Sequence, residues 1–169
     1  MKNLKALLLI AVFILGFTGV SNAQKIGHID TEKLVANMPA TKALKAEMEK
    51  LGKTYQDDLS GMAKKLENKM KKYTAEQATQ TQATNEKRAA EVQQERAKLE
   101  QAKQVAYQEM QKMQNTKLGP ILKKAQQAIK DVAAAKGIVY VFDAAAGKGL
   151  IVFEKGVNLY DAVKTKLGF

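Results

Sequence analysis

The sequence predicts an α+β chain, mainly α, in which a long antiparallel helical hairpin arm projects from a small β-strand base completed by association with other copies. Three observations predict it. Apolar residues recur at helical spacing from Thr41 to Lys136 with an 11-residue period, a polar stretch divides that run, and short β-rich apolar segments stand at both ends.

The chain opens with the layout of a secretory signal: Lys2 and Lys5 are positive, Ala6 to Phe17 is apolar apart from Gly16, and Ser21-Asn22-Ala23 is a small-residue cleavage site. Residues 1–23 are therefore expected to be removed, leaving Gln24 first. The apolar core of 12 residues falls short of the roughly 20 needed to span a bilayer. No cysteine is present, which excludes a lipid anchor at the cleavage site and any disulfide framework. Loss of Lys2 and Lys5 leaves 26 basic residues against 17 acidic ones, about +9, so the exported chain is expected to be drawn to acidic polymers or anionic surfaces.

The base is read over residues 24–40 and 120–169 and the arm over residues 41–119, with its tip near residues 79–85. Lys25 to Ile29 predicts a strand, Asp30 or Thr31 an N-cap, and Glu32 to about Asn37 a helix that stops before Pro39. In the arm, Leu44, Tyr55 and Leu66 lie 11 apart, as do Met48, Leu59 and Met70, and Leu51, Met62 and Tyr73. Eleven residues over three turns is about 3.67 per turn, which favours a nearly straight rod. After the Gln- and Thr-rich stretch Thr74–Asn85 the interval resumes in Leu99, Met110, Ile121 and Val132. Two matching stripes across a short polar segment predict a fold-back centred near Gln82, with Leu44 facing Pro120. Gly119-Pro120 interrupts the returning stripe, so a hinge or kink between arm and base is expected there, or else a plain loop between two helices. Gly137 reads as a helix C-cap, Ile138–Phe142 and Leu150–Phe153 as strands, and Asn158 as the cap of a last helix ending at Leu167. Three strands cannot bury both faces of a sheet in one copy. Ile26, Ile29, Val139, Val141, Phe142, Leu150 and Val152 are therefore expected to complete their core against other copies.

No catalytic residue, metal ligand or cofactor site is expected. The chain has no Cys and a single histidine, His28, which reads as structural or exposed. Adjacent carboxylates such as Asp57-Asp58 diverge on a helix. Gly147-Lys148-Gly149 lacks the remaining residues of a phosphate loop and precedes a strand, so a turn is expected.

The opening Ile26-Gly27-His28-Ile29-Asp30 with Lys33 and Pro39, the Lys/Gln/Glu-rich hairpin, and the closing Val139-Tyr140-Val141-Phe142-Asp143 together resemble the Skp/OmpH family of periplasmic chaperones over essentially the whole mature chain. The return through Pro120 and Ile121 to Gly137 also looks like that family, whereas Tyr160 departs from its small hydroxyl and the arm sequence is this chain's own. The resemblance implies a homotrimer with a shared β-barrel-like base and three arms around a cavity. It also implies ATP-independent holding of unfolded outer-membrane β-barrel proteins in the periplasm.

On that implication, Met48, Tyr55, Met62, Met70, Tyr73, Met110 and Met113 are candidates for client contact, thioethers being adaptable apolar groups. The plainer account is that they pack the hairpin. Lys64, Lys65, Lys69, Lys71, Lys72, Lys87 and Arg88 form a basic outer half of the arm that would steer acidic clients or anionic lipid and lipopolysaccharide, or else a solvated face. Lys117, Lys123, Lys124 and Lys130 form another basic group near the base. The competing expectation is a structural coiled-coil envelope protein without clients. Nucleic acid is not expected as a partner, since no groove-reading motif or stacking platform is evident.

Overall fold

The computed structural model describes residues 25–148, 151 and 154–169. The expected signal peptide lies outside the described residues, as does the strand expected over Leu150–Phe153 with Leu150 and Val152, apart from Ile151. The described elements are β1 (Lys25–Ile29), α1 (Thr31–Asn37), α2 (Pro39–Glu76), a 3-10 turn (Gln77–Thr79), α3 (Gln82–Ala135), β2 (Ile138–Asp143), β3 (Val157–Asn158) and α4 (Tyr160–Leu167).

Asp30 starts α1 by accepting the Lys33 N–H at 2.8 Å. Met38 is extended (ψ 133°), as a residue before proline prefers, and Pro39 then opens α2 where its missing N–H costs nothing. The 38 residues of α2 span roughly 57 Å at about 1.5 Å each.

The turn is tight and lies just before Gln82. After the 3-10 turn, Gln80 and Thr81 are extended and Thr81 caps α3 by accepting the Thr84 N–H at 3.2 Å. Asn85 donates across the turn to the Gln77 carbonyl at 3.0 Å. Side-chain hydrogen bonds thus replace the glycine or proline that tight turns commonly use. Cross-arm partners such as Glu47 and Lys117, Lys69 and Glu95, Tyr73 and Glu91, and Glu76 and Arg88 have residue numbers that sum to 164, so the fold-back is symmetric about residue 82.

The helix α3 continues through Gly119-Pro120 without a break, so no loop separates arm from base. Leu118 and Ile121 both pack into the base core, which holds the helix on either side of Pro120. Pro120 itself is exposed, where the backbone carbonyl it leaves unbonded can meet water.

In the base, β1 lies between β2 and β3 and pairs parallel with both. Ile29, Leu34, Leu159 and Val163 are the most enclosed side chains and gather with Met38, Leu44, Ile121, Ala125 and Val132 on one side of the sheet. Gly27 fits closely there: a Cβ would come within 3.2 Å of Ile138 and 3.3 Å of Leu159, so those side chains would have to give way. The final helix begins one residue later than Asn158 alone would indicate. Asn158 is paired in β3 and its Oδ1 accepts the Tyr160 N–H at 2.9 Å from just outside the helix.

Candidate functional site

A two-helix arm can enclose only the stripe along its contact line. Only Leu44, Leu66, Ala106 and the base-proximal residues of that stripe are buried. Met48, Tyr55, Met62, Met70, Tyr73, Met110 and Met113 are all half-buried. They form the seam and also reach its wet edges.

Open grooves run beside the seam. One of about 550 Å³ is lined by Met48, Tyr55, Leu59, Ala106, Tyr107 and Met110, and another of about 590 Å³ by Ala63, Leu66, Met70 and Leu99. At the base, Leu34, Val35, Leu122, Ala125 and Ile129 line a groove of about 700 Å³. Tyr107 is 68% exposed beside the first of these grooves. It falls next to Ala106, off the 11-residue stripe, which is why a search for periodicity passes over it. Val105 and Leu122 are exposed apolar residues off the stripe in the same way.

The basic outer half is partly neutralised by acids from the facing helix. Lys69 bridges Glu91 at 2.9 Å and Glu95, Arg88 meets Glu76 at 2.6 Å, and Lys71 pairs with Glu67 one turn earlier. Hydrogen bonds from Lys69 and then Tyr73 hold Glu91 below the usual carboxylate range, and bonds to Glu95 and Glu91 raise Lys69. Tyr73 donates to Glu91 at 2.7 Å, which raises its phenol, and Arg88 lies over the Tyr73 ring at 4.6 Å. Lys64, Lys65, Lys72 and Lys87 are exposed and form no ion pair among the described residues. Next to this network a cavity of about 260 Å³ is lined by Tyr73, Asn85, Arg88 and Arg96, and Arg88 Nη1 is buried without a hydrogen-bond partner among the described residues.

Among the described residues, the sheet face away from the helices carries exposed apolar side chains. Ile26 pairs with Tyr140 and His28 with Phe142, and paired residues share a face. Ile26, Tyr140 and Phe142 are exposed there, and Val139 is exposed next to the irregularity in the β1–β2 register. Val141 is half-buried against the core, and Ile29 is almost wholly enclosed by its own chain. Ile29 therefore belongs to the core of the subunit and is not offered to a neighbour. His28 lies on the face of Ile26 and Phe142 too but is buried, with Nε2 3.1 Å from the Glu154 carboxylate.

A polar clasp that the sequence did not reveal closes the other end of the sheet. Asp143 accepts the Thr31 hydroxyl at 2.7 Å, the Thr31 N–H at 3.2 Å and the Ala145 N–H at 3.1 Å, and pairs with Lys148 at 3.0 Å. Burial pushes its carboxyl up, but the bonds from Thr31, Lys148 and Ala145 outweigh burial and bring it down to about 2.

A family model described as outer membrane protein (OmpH-like) matches residues 25–167, which takes in arm and base together. The chain belongs to the OmpH-like family. Among solved structures, this OmpH-like chain matches one from Caulobacter crescentus described as a candidate outer membrane chaperone (OmpH-like), with a TM-score of 0.76 and 19% identity over 85% of this chain and 83% of that one. At that identity the likeness speaks for the fold: a mainly helical α+β chain with long helices and a small sheet. No curated protein matches this OmpH-like chain.

Proposed function

We propose that this OmpH-like protein is an ATP-independent periplasmic holdase that receives unfolded outer-membrane β-barrel proteins between helical arms and keeps them from aggregating. The observation that carries this reading is the arm itself: a rod about 57 Å long whose apolar seam stays wet at its edges and opens into grooves beside Met48, Tyr55, Tyr107 and Met110. Such shallow, flexible apolar surface suits many loosely held chains better than one tightly bound ligand.

The sheet face of Ile26, Val139, Tyr140 and Phe142 supports assembly. Exposed apolar area of that kind on a three-stranded sheet is covered by a partner, and we assign it to a homotrimer. Residues 1–23 act as the cleaved export signal that delivers the chain to the periplasm. Lys64, Lys65, Lys72 and Lys87, free of ion pairs among the described residues, steer acidic client segments or anionic lipid and lipopolysaccharide. Gly119 and Pro120 allow the arm to flex against the base while the helix stays continuous. The chain carries out no chemistry of its own in this reading and does not engage nucleic acid.

The test is suppression of aggregation of an unfolded β-barrel membrane protein at stoichiometric ratio, with the mass of the complex measured in parallel. Protection without nucleotide is expected, and its slowing by salt would report the steering charges. A chain that assembles but gives no protection is a structural coiled-coil protein. Replacing Met48 and Met62 by Gln separates seam packing from client contact. If arm folding weakens while protection is unchanged, these residues only pack.

A further inference from the structure

The sulfur of Met70 on α2 accepts a hydrogen bond from Nη2 of Arg96 on α3 at 3.4 Å. A thioether is a weak acceptor, and no other methionine sulfur among the described residues has such a partner. Met70 also borders two open cavities, one of about 260 Å³ beside Tyr73 and Arg88 and one of about 590 Å³ beside Leu66 and Leu99. A small oxidant can therefore reach its sulfur from either side. The remaining methionines have other surroundings. Met38 is 3% exposed and Met113 packs against the base core, while Met48 and Met110 also border an open groove but have no hydrogen-bond donor on their sulfurs among the described residues.

We infer that Met70 is a reversible oxidation site whose sulfoxide is clasped by Arg96 across the arm. The reactant is hydrogen peroxide. The sulfur lone pair attacks the outer peroxide oxygen, the S–O bond forms as the O–O bond breaks, and the proton on the transferred oxygen passes to the departing hydroxide to give water. Sulfur is oxidised by two electrons and the peroxide is reduced by two. A sulfoxide oxygen is a polar acceptor where the thioether was a poor one, and beside a guanidinium it makes a charge-assisted bond. Both side chains are unbranched and reach solvent, so they can adjust to the added oxygen. At Met48, Met110 and Met113 no guanidinium across the arm bonds the sulfur, so an added oxygen there gains no such bond and puts a polar group into the apolar seam, which loosens it. Met70 is thus the position where an oxidant tightens the arm, and a methionine sulfoxide reductase would reverse the change.

The experiment treats the purified full chain with graded hydrogen peroxide. Site occupancy is read by peptide mass spectrometry, and amide exchange is followed at Tyr73–Val92. To isolate the site, Met48, Met62, Met110 and Met113 are changed to Leu, a swap cores tolerate, and Arg96→Leu is compared in that background and in the native one. Met70 is expected to oxidise well before Met38. Oxidation should then slow tip exchange about tenfold with Arg96 present, as a charge-assisted bond of ordinary net strength would, and hasten it with Arg96→Leu. Return of the native exchange rate after reductase treatment completes the case. The inference is overturned if Met70 stays unmodified while Met62 is oxidised in the native chain, or if oxidation alters tip exchange equally with and without Arg96. Should the four-Leu chain lose helicity, the native-background pair decides by the same comparison.

Discussion

Replacing Asp143 by Asn should cost about 2 kcal/mol near neutral pH, and that cost should vanish in acid. The carboxylate is 21% exposed and accepts from the Thr31 hydroxyl, two backbone N–H groups and Lys148. Its carboxyl sits at about 2 in the fold against an ordinary value of 3.8. At about 1.4 kcal/mol per decade, that difference corresponds to about 2 kcal/mol. Because the folded value is the lower one, the stabilisation is complete above pH 3.8 and is lost as pH falls toward 2. An Asn can still accept the backbone N–H groups through its one oxygen, but it loses the charge facing Lys148 and the second acceptor for Thr31. Urea unfolding of both proteins at one fixed protein concentration, from pH 7 down to about 2, gives the difference directly, and the other carboxylates cancel in it. A gap that stays constant across this range would refute the assignment, as would a variant within about 0.5 kcal/mol of the native protein at pH 7.

Gly156→Ala should detach β3, since a Cβ would stand 3.0 Å from the Ile26 carbonyl oxygen, a backbone atom that cannot move aside. A loss of about 1–3 kcal/mol is expected, with faster amide exchange at Leu159, whose N–H bonds the His28 carbonyl at 3.0 Å. Pro120→Ala restores an N–H on an exposed turn of α3 and should stabilise the chain, by up to about 3 kcal/mol on helix-interior values. If thermal unfolding shows no gain, the helix already accommodates the ring without strain.

The arm was legible because a helical seam needs nothing but periodicity. Leu44, Leu66 and their 11-residue relatives mark the contact line, and equal stripes on either side of a polar stretch can only meet antiparallel. The turn was less so, because Thr81 and Asn85 do by side-chain bonding what a glycine would have signalled openly. At Gly119-Pro120 the sequence left open a hinge or kink and a plain loop, since local propensity carries no knowledge of Leu118 and Ile121 packing into the base on either side, and the continuous helix removes the loop. The Asp143 clasp could not be found by spacing, because Thr31 lies 112 positions away in sequence. The acids that dilute the basic outer arm could be counted in the sequence but not placed: Lys69 takes Glu91 and Glu95, 22 and 26 residues further along, and Arg88 takes Glu76, 12 residues earlier, each on the opposite helix.

Those pairings bear on how an exposed apolar seam is tolerated. Two helices in contact leave half of each stripe facing water, and bare apolar area of that extent drives self-association. Along the outer arm the seam is flanked by Lys69 with Glu91 and Glu95, by Arg88 with Glu76, and by solvated Lys64, Lys65 and Lys72. Charged heads on long apolar stems cover the edge of the stripe without sealing it, and an excess of positive charge keeps like arms apart. On the sheet face, among the described residues, Ile26, Tyr140 and Phe142 are exposed beside His28, whose imidazole is buried next to Glu154. An apolar seam edged by charged side chains and a sheet face of exposed apolar side chains are different surfaces, which is why the proposed function gives the arm to loosely held chains and the sheet to association.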